Sequence, residues 1–142
     1  MAQALASTPK KRVRVPDFGL YLDREWAILV LRGEKTVELR GYRPDYRGTP
    51  PQRVGIPVVG TGHVYGDVVI FKVEQLTSKT LFALRERHCV EAPSETSLWR
   101  LVSELLKTDT IFAWHLRDAR AYPVPFPHFL NGPQGLVTFK KK

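Results

Sequence analysis

Trp26, Leu29 and Val30 fall on one face of a helix in YLDREWAILVLRG, residues 21–33. Asp23 stands where an N-cap belongs, Glu25 lies in the first turn, and Gly33 stands where a C′ glycine ends a helix. The spacing then shortens. In KTVELR, residues 35–40, Val37 and Leu39 point one way and Thr36, Glu38 and Arg40 the other, which is strand behaviour. GYRPDYRGTPPQ, residues 41–52, reads as a loop by its Gly, Pro and Asp content. Strands are expected in RVGIPVVG (53–60) and GDVVIFKVEQL (66–76), joined by a turn or bulged hairpin in GTGHVYG. Helical spacing returns from Ser78 through His88. It returns again after a Ser94 cap, where Leu98, Leu101, Val102 and Leu105 recur at i, i+3, i+4 and i+7. Residues 110–126 give a strand, a tight turn at Arg117-Asp118 and a Pro-rich edge segment, and GLVTF (135–139) is a last strand.

Strands therefore dominate both ends and short helices lie between them. The expected class is α+β, a small barrel or curled sheet with helices packed on it. With 142 residues one domain is the default. The expected organisation is a basic tail over residues 1–16, a folded body over 17–139 and a basic end over 140–142. No apolar run approaches the ~20 residues needed to cross a bilayer. Cys89 is the single cysteine, so no internal disulfide can form, which suits a reducing compartment, cytoplasmic or nuclear.

Charge changes the picture mainly at the ends. The formal charge is +8. Lys10, Lys11, Arg12 and Arg14 precede Pro16, and Lys140, Lys141 and Lys142 close the chain. Such tails attract phosphate backbones without reading sequence; equally, they serve as solvated ends that keep a protein soluble. Lys11-Arg12-Val13-Arg14 also resembles a short nuclear import signal.

Candidate chemistry gathers at GEKTVELR, residues 33–40. A strand face carrying Thr36, Glu38 and Arg40 is either a solvated, salt-bridged surface or one wall of a cleft. In a cleft, Arg40 has the fork geometry for a phosphate or carboxylate, and Glu38 can accept from the amino group of a base. Lys35, at the helix-to-strand bend, is in reach of the same space. The following loop interleaves Tyr42 and Tyr46 with Arg43 and Arg47, a pattern that suits stacking on unpaired bases or, equally, a loop pinned by its tyrosines. The four histidines lack zinc-site spacing and Cys89 has no CxxC partner, so neither metal nor cofactor is called for. No GxxxxGK[ST] loop or GxSxG elbow is present. His88-Cys89 reads as a helix C-terminal histidine favoured by the dipole beside a packed thiol.

Gly33, Lys35, Glu38 and Arg40, with Thr36 in the common K-T variant, make this stretch resemble the G-x-K-x-x-E-x-R motif of ASCH domains. GDVVIFKVEQLTS resembles that family's central strand, and FAWHLRDARAYPVPFPHFLNGPQGLVTF its closing part. The resemblance implies a PUA-like fold, a small β-barrel flanked by short helices, with the motif lining a cleft beside it. It implies an RNA- or nucleotide-binding module whose partner is RNA, single-stranded nucleic acid, a nucleotide or a modified nucleoside, acting as a monomer with no membrane role. One branch of the family hydrolyses acylated cytidines with a lysine, a threonine nucleophile and a glutamate. Lys35 matches the lysine, whereas Glu38 holds the threonine's position. Thr36 lies two residues earlier, displaced by roughly 6–7 Å at ~3.3 Å per residue. Glu91 is the nearest candidate for the acidic partner. Ribonuclease activity is credited to a few members. Three readings follow: a binding module using Lys35, Glu38 and Arg40 with Arg43, Arg47 and the tails on the backbone; a hydrolase using Lys35 and Glu38; or an adaptor with a vestigial cleft.

Overall fold

The computed structural model describes residues 14–44, 50–128 and 136–139. Among these residues six strands form one sheet: β1 (Phe18–Gly19), β2 (Val37–Arg40), β3 (Gln52–Pro57), β4 (His63–Gln75), β5 (Phe112–Pro127) and β6 (Val137–Thr138). Their order is β2-β5-β4-β3-β1-β6. The β1–β3 and β1–β6 pairs are parallel and the others antiparallel. Four helices among the described residues complete the α+β fold: α1 (Arg24–Leu31), α2 (Ser78–Ala83), α3 (Arg85–His88) and α4 (Glu95–Leu106).

The expected barrel is corrected to an open sheet. β2 and β6 are its edges and do not pair with each other. Helices take the place of a closing strand. Val37 and Leu39 of β2 join Ile111 and Ala113 in a buried cluster with Leu81 of α2 and Leu98 and Val102 of α4. The other core cluster lies across the sheet. Trp114, Leu116, Val54, Ile56, Val68 and Ile70 pack there with Ala27 and Val30 of α1. Trp114 is fully buried and donates its Nε1 hydrogen to the Tyr42 carbonyl at 3.0 Å. Phe139 meets it edge-on at 5.3 Å and stacks on Phe18 at 5.6 Å, which binds the short β6 to the core.

Several local expectations change under packing. Asp23 has the extended backbone of an N-cap, but its side chain makes no cap bond. Residues 78–88 are two helical pieces broken at Leu84; the first starts at Ser78 as expected and is capped by Thr77 in a reciprocal box with Thr80. Ser94 caps α4 as expected, with Ser97 as its reciprocal partner. Leu98 and Val102 are buried, but Leu101 and Leu105 are exposed; the buried stripe runs 98–102 toward the half-buried Leu106 instead. Arg117-Asp118 is no turn. β5 continues through it against β4, and the extra residue is taken up by register shifts with Asp118 at φ 53°.

The buried Asp67 carboxylate binds Arg53 and accepts from Arg120 and Tyr122, the latter two at 2.7 Å. That network crosses β3, β4 and β5 where the β4–β5 register shifts. No helix among the described residues is long and apolar enough to cross a membrane.

Gly66 marks where β4 passes closest to α1 and β5. A Cβ there would press on the Leu31 side chain and the Arg120 carbonyl, well inside contact distance. The backbone carbonyl cannot rotate away, so Gly66→Ala is expected to lower stability by at least about 2 kcal/mol, read as an earlier urea midpoint.

Candidate functional site

Gly33 takes φ 76° and ends α1, after which the amides of Glu34 and Lys35 both donate to the Leu29 carbonyl, at 2.9 and 3.0 Å. This sharp reversal turns Lys35 back beneath the helix it has just left. Its ammonium lies 4.6 Å from the centre of the Trp26 ring. Strand alternation begins only at Val37, and it carries Glu38 and Arg40 to the same side. Lys35, Glu38 and Arg40 therefore meet. Lys35 Nζ is 3.5 Å from Glu38 Oε1, and Arg40 Nε and Nη2 are each 2.9 Å from Glu38 Oε2.

All three residues line a cleft of about 360 Å3. Trp26 and Tyr21 border one side, and Val90, Val102, Leu105 and Leu106 the other, with Val59 at the rim. The exposed Leu105 and Val59 are thus part of an apolar entrance. Lys35 and Glu38 are almost wholly buried, at 3% and 8% exposure, so their charges are satisfied by protein groups. Lys35 donates to the His88 carbonyl at 2.6 Å. Arg40 donates to the Tyr21 carbonyl at 2.7 Å and to the Tyr42 hydroxyl at 3.2 Å. Each guanidinium nitrogen thus has a partner inside the protein, and Arg40 braces the cleft where the sequence had suggested a phosphate fork.

Burial lowers the pKa of Lys35 despite the opposing pull of Glu38. Burial also works against the Arg40 cation, but Glu38 and Tyr42 more than offset it, leaving that pKa raised.

The remaining predicted residues scatter. Thr36 is absent from the cleft lining; its amide donates to the Arg87 carbonyl and its carbonyl accepts from Leu116, which seats it between α3 and β5. Glu91 is exposed and borders a neighbouring hollow with Arg85, Glu86 and Cys89, sharing only Val90 with the cleft. Tyr42 is half-buried edge-on against Trp114 at 5.8 Å, so its ring is packed into the frame. Arg43 is exposed, with its guanidinium 4.9 Å from the Phe112 ring. Arg14 is exposed at the start of the described residues. Lys10, Lys11, Arg12, Tyr46 and Arg47 lie outside them. No group of three His, Cys, Asp or Glu residues able to hold a metal occurs among the described residues.

Two residues have roles that sequence reasoning missed. Trp26 packs against the core as its helical face implies, and it is half-buried and forms a cleft wall as well. His88 is fully buried, and its pKa is lowered by burial and by Lys35, against the acceptor at the Leu81 carbonyl. The helix-dipole expectation of a stabilised cation fails because a four-residue helical turn has little dipole and the site is dry.

No protein-family model matches the sequence, and no curated protein does. Solved structures do match. ASCH from Zymomonas mobilis aligns at 21% identity and a TM-score of 0.59, covering 78% of this chain and 73% of that one. A tyrosine-to-phenylalanine variant of that protein aligns at 26% identity and a TM-score of 0.56, covering 78% and 76%. A serine-to-alanine variant aligns at 21% and 0.57, covering 80% and 77%. The likeness carries the fold: this chain shares the architecture of these ASCH structures.

The buried histidines set an acid limit on the fold. His88 and His128 both have lowered pKa values, His128 through burial and the nearby His63. The unfolded chain binds protons there that the folded chain refuses. Their stabilisation is complete above the ordinary histidine value of about 6.5 and is lost as pH falls toward the folded values. Urea midpoints are expected to be lower at pH 5 than at pH 7.

Proposed function

We propose that the chain is an RNA- or nucleotide-binding module that receives a nucleotide in the Lys35–Glu38–Arg40 cleft. The observation that carries this reading is the clustering of the buried Lys35 and Glu38 with the half-buried Arg40 in an apolar-walled cleft of an ASCH-type fold. A planar base has faces suited to Trp26 and the aliphatic wall, and an edge suited to a charged donor and acceptor. Lys35 Nζ has donors beyond the one given to His88, and Glu38 Oε1 keeps acceptor capacity because Arg40 occupies Oε2. The backbone falls to Arg43, Arg47 and the basic tails, whose contribution is sequence-blind and salt-dependent. The partner class is single-stranded RNA, and no second copy of the chain is required by this cleft.

A second reading has its own support in Lys35. A buried amine with lowered proton affinity beside a carboxylate has the character of a catalytic pair. In that reading Glu38 takes a proton from water as the water attacks the acyl carbon of an acylated cytidine, and Lys35 supplies a proton to the departing amine. No serine, threonine or cysteine lines the cleft among the described residues, so water is the nucleophile.

Binding is tested with fluorescence anisotropy on a short single-stranded RNA at low and high salt. Lys35→Met keeps the aliphatic stem and removes the buried cation. It is expected to weaken binding about tenfold with little change in salt slope, whereas deleting both tails lowers the slope. Unchanged affinity in Lys35→Met alongside a strong tail effect would mean that the ends alone bind RNA. Hydrolysis is tested by incubating acylated cytidine with wild type and Lys35→Met; turnover in the first and none in the second supports the enzyme, and no turnover in either removes it.

A further inference from the structure

His88 is not among the residues that line the cleft, yet it makes three hydrogen bonds that bear on the cleft's shape. Its backbone carbonyl accepts from Lys35 Nζ at 2.6 Å. Its ring Nε2 lies 2.8 Å from the Leu81 carbonyl in α2. The amide of Val90 donates to its ring Nδ1 at 3.1 Å. A carbonyl accepts only and an amide donates only, so a neutral ring satisfies both neighbours in one tautomer: hydrogen on Nε2, lone pair on Nδ1. Cys89 between them sits in the left-handed region at φ 65°, a conformation that the chain keeps only where its surroundings impose it.

The imidazole thus joins α2, the end of α3 and the segment that carries the Val90 wall. We propose that His88 is a positioning residue for the cleft, its neutral ring setting at once the carbonyl that holds Lys35 and the wall at Val90. This inference rests on the cleft being the ligand site, and it adds a control of that site from outside it. The charged groups around the ring sharpen the point. Lys35 is the cation that faces it, with Glu38 behind; α2 offers only the Leu81 carbonyl, and Arg85, Glu86 and Arg87 of its own turn are exposed. A proton on Nδ1 would confront the Val90 amide donor and add a second cation beside Lys35. Acid therefore opens the turn and releases both Lys35 and Val90.

Two substitutions separate the two ring bonds. His88→Asn places an oxygen where Nδ1 was and keeps the Val90 tether while losing the Leu81 bond. His88→Gln places a donor where Nε2 was and keeps the Leu81 bond while losing the tether. Each loses one buried hydrogen bond, so their stabilities are expected to be similar. Affinity for a short single-stranded RNA is expected to fall about tenfold in His88→Gln and less than threefold in His88→Asn. Equal losses in both, or losses that follow stability, would overturn the proposal.

Two readouts need no RNA. The Lys35 Cε signal, followed by NMR through a pH titration, is expected to move toward ordinary lysine behaviour in His88→Gln but not in His88→Asn. In wild type, the ring nitrogen spectrum is expected to show a protonated Nε2 and a bare Nδ1 at neutral pH; the opposite tautomer sinks the idea without any variant. If Lys35 responds as expected while RNA binding is indifferent to all cleft substitutions, His88 still positions the cleft and the RNA reading is what fails.

Discussion

A carboxylate held between two cations, away from water, is the constraint around which this molecule is arranged. Glu38 lies between Lys35 and Arg40 with little exposure. Removing such ions from water costs several kcal/mol each, and mutual attraction offsets that only when the remaining donors and acceptors are also satisfied. Here they are satisfied by distant parts of the chain. Lys35 needs the His88 carbonyl, and Arg40 needs the Tyr21 carbonyl and the Tyr42 hydroxyl. The segment before α1, the loop after β2 and the end of α3 are thereby drawn to one edge of the sheet. The triad is weak as a source of stability and strong as a source of register.

The same arrangement shapes what the cleft can hold. A guanidinium whose nitrogens are occupied within the protein is poorly placed to fork a phosphate, so Arg40 serves the frame. The groups with capacity left are Lys35 and one oxygen of Glu38, a donor and an acceptor side by side beneath apolar walls. That combination suits the edge and faces of a heterocycle better than a cluster of negative charge.

Much of this was legible in local pattern. The change from helical to alternating spacing at Gly33 marks the bend that builds the site, and the G-x-K-x-x-E-x-R spacing marks its three charged residues. The β4 strand, the Ser94 cap and the last strand also followed from spacing and capping chemistry. What misled were residues whose neighbours come from far along the chain. Leu105 has core periodicity on α4 yet stands exposed at the cleft mouth, because the sheet meets the helix along Leu98 and Val102. Trp26 packs on the core and also serves as a cleft wall, which spacing alone does not show. Thr36 shares strand parity with Glu38, but its backbone is claimed by Arg87 and Leu116 before the strand begins. The run through Arg117-Asp118 resembled a turn because a bulge and a turn use the same residue types; only the partner strand β4 decides between them.

By itself the sequence determined the class of fold, the order of most elements, and the identity of the three charged groups at the site, since periodicity, caps and short motifs are interactions between residues near each other in the chain. The tertiary structure alone decided that the sheet stays open, that Arg40 is spent on Tyr21 and Tyr42, and that His88 sits neutral behind Lys35. Those outcomes depend on contacts across tens of residues, where burial removes water and a carbonyl from another element sets which proton a side chain keeps.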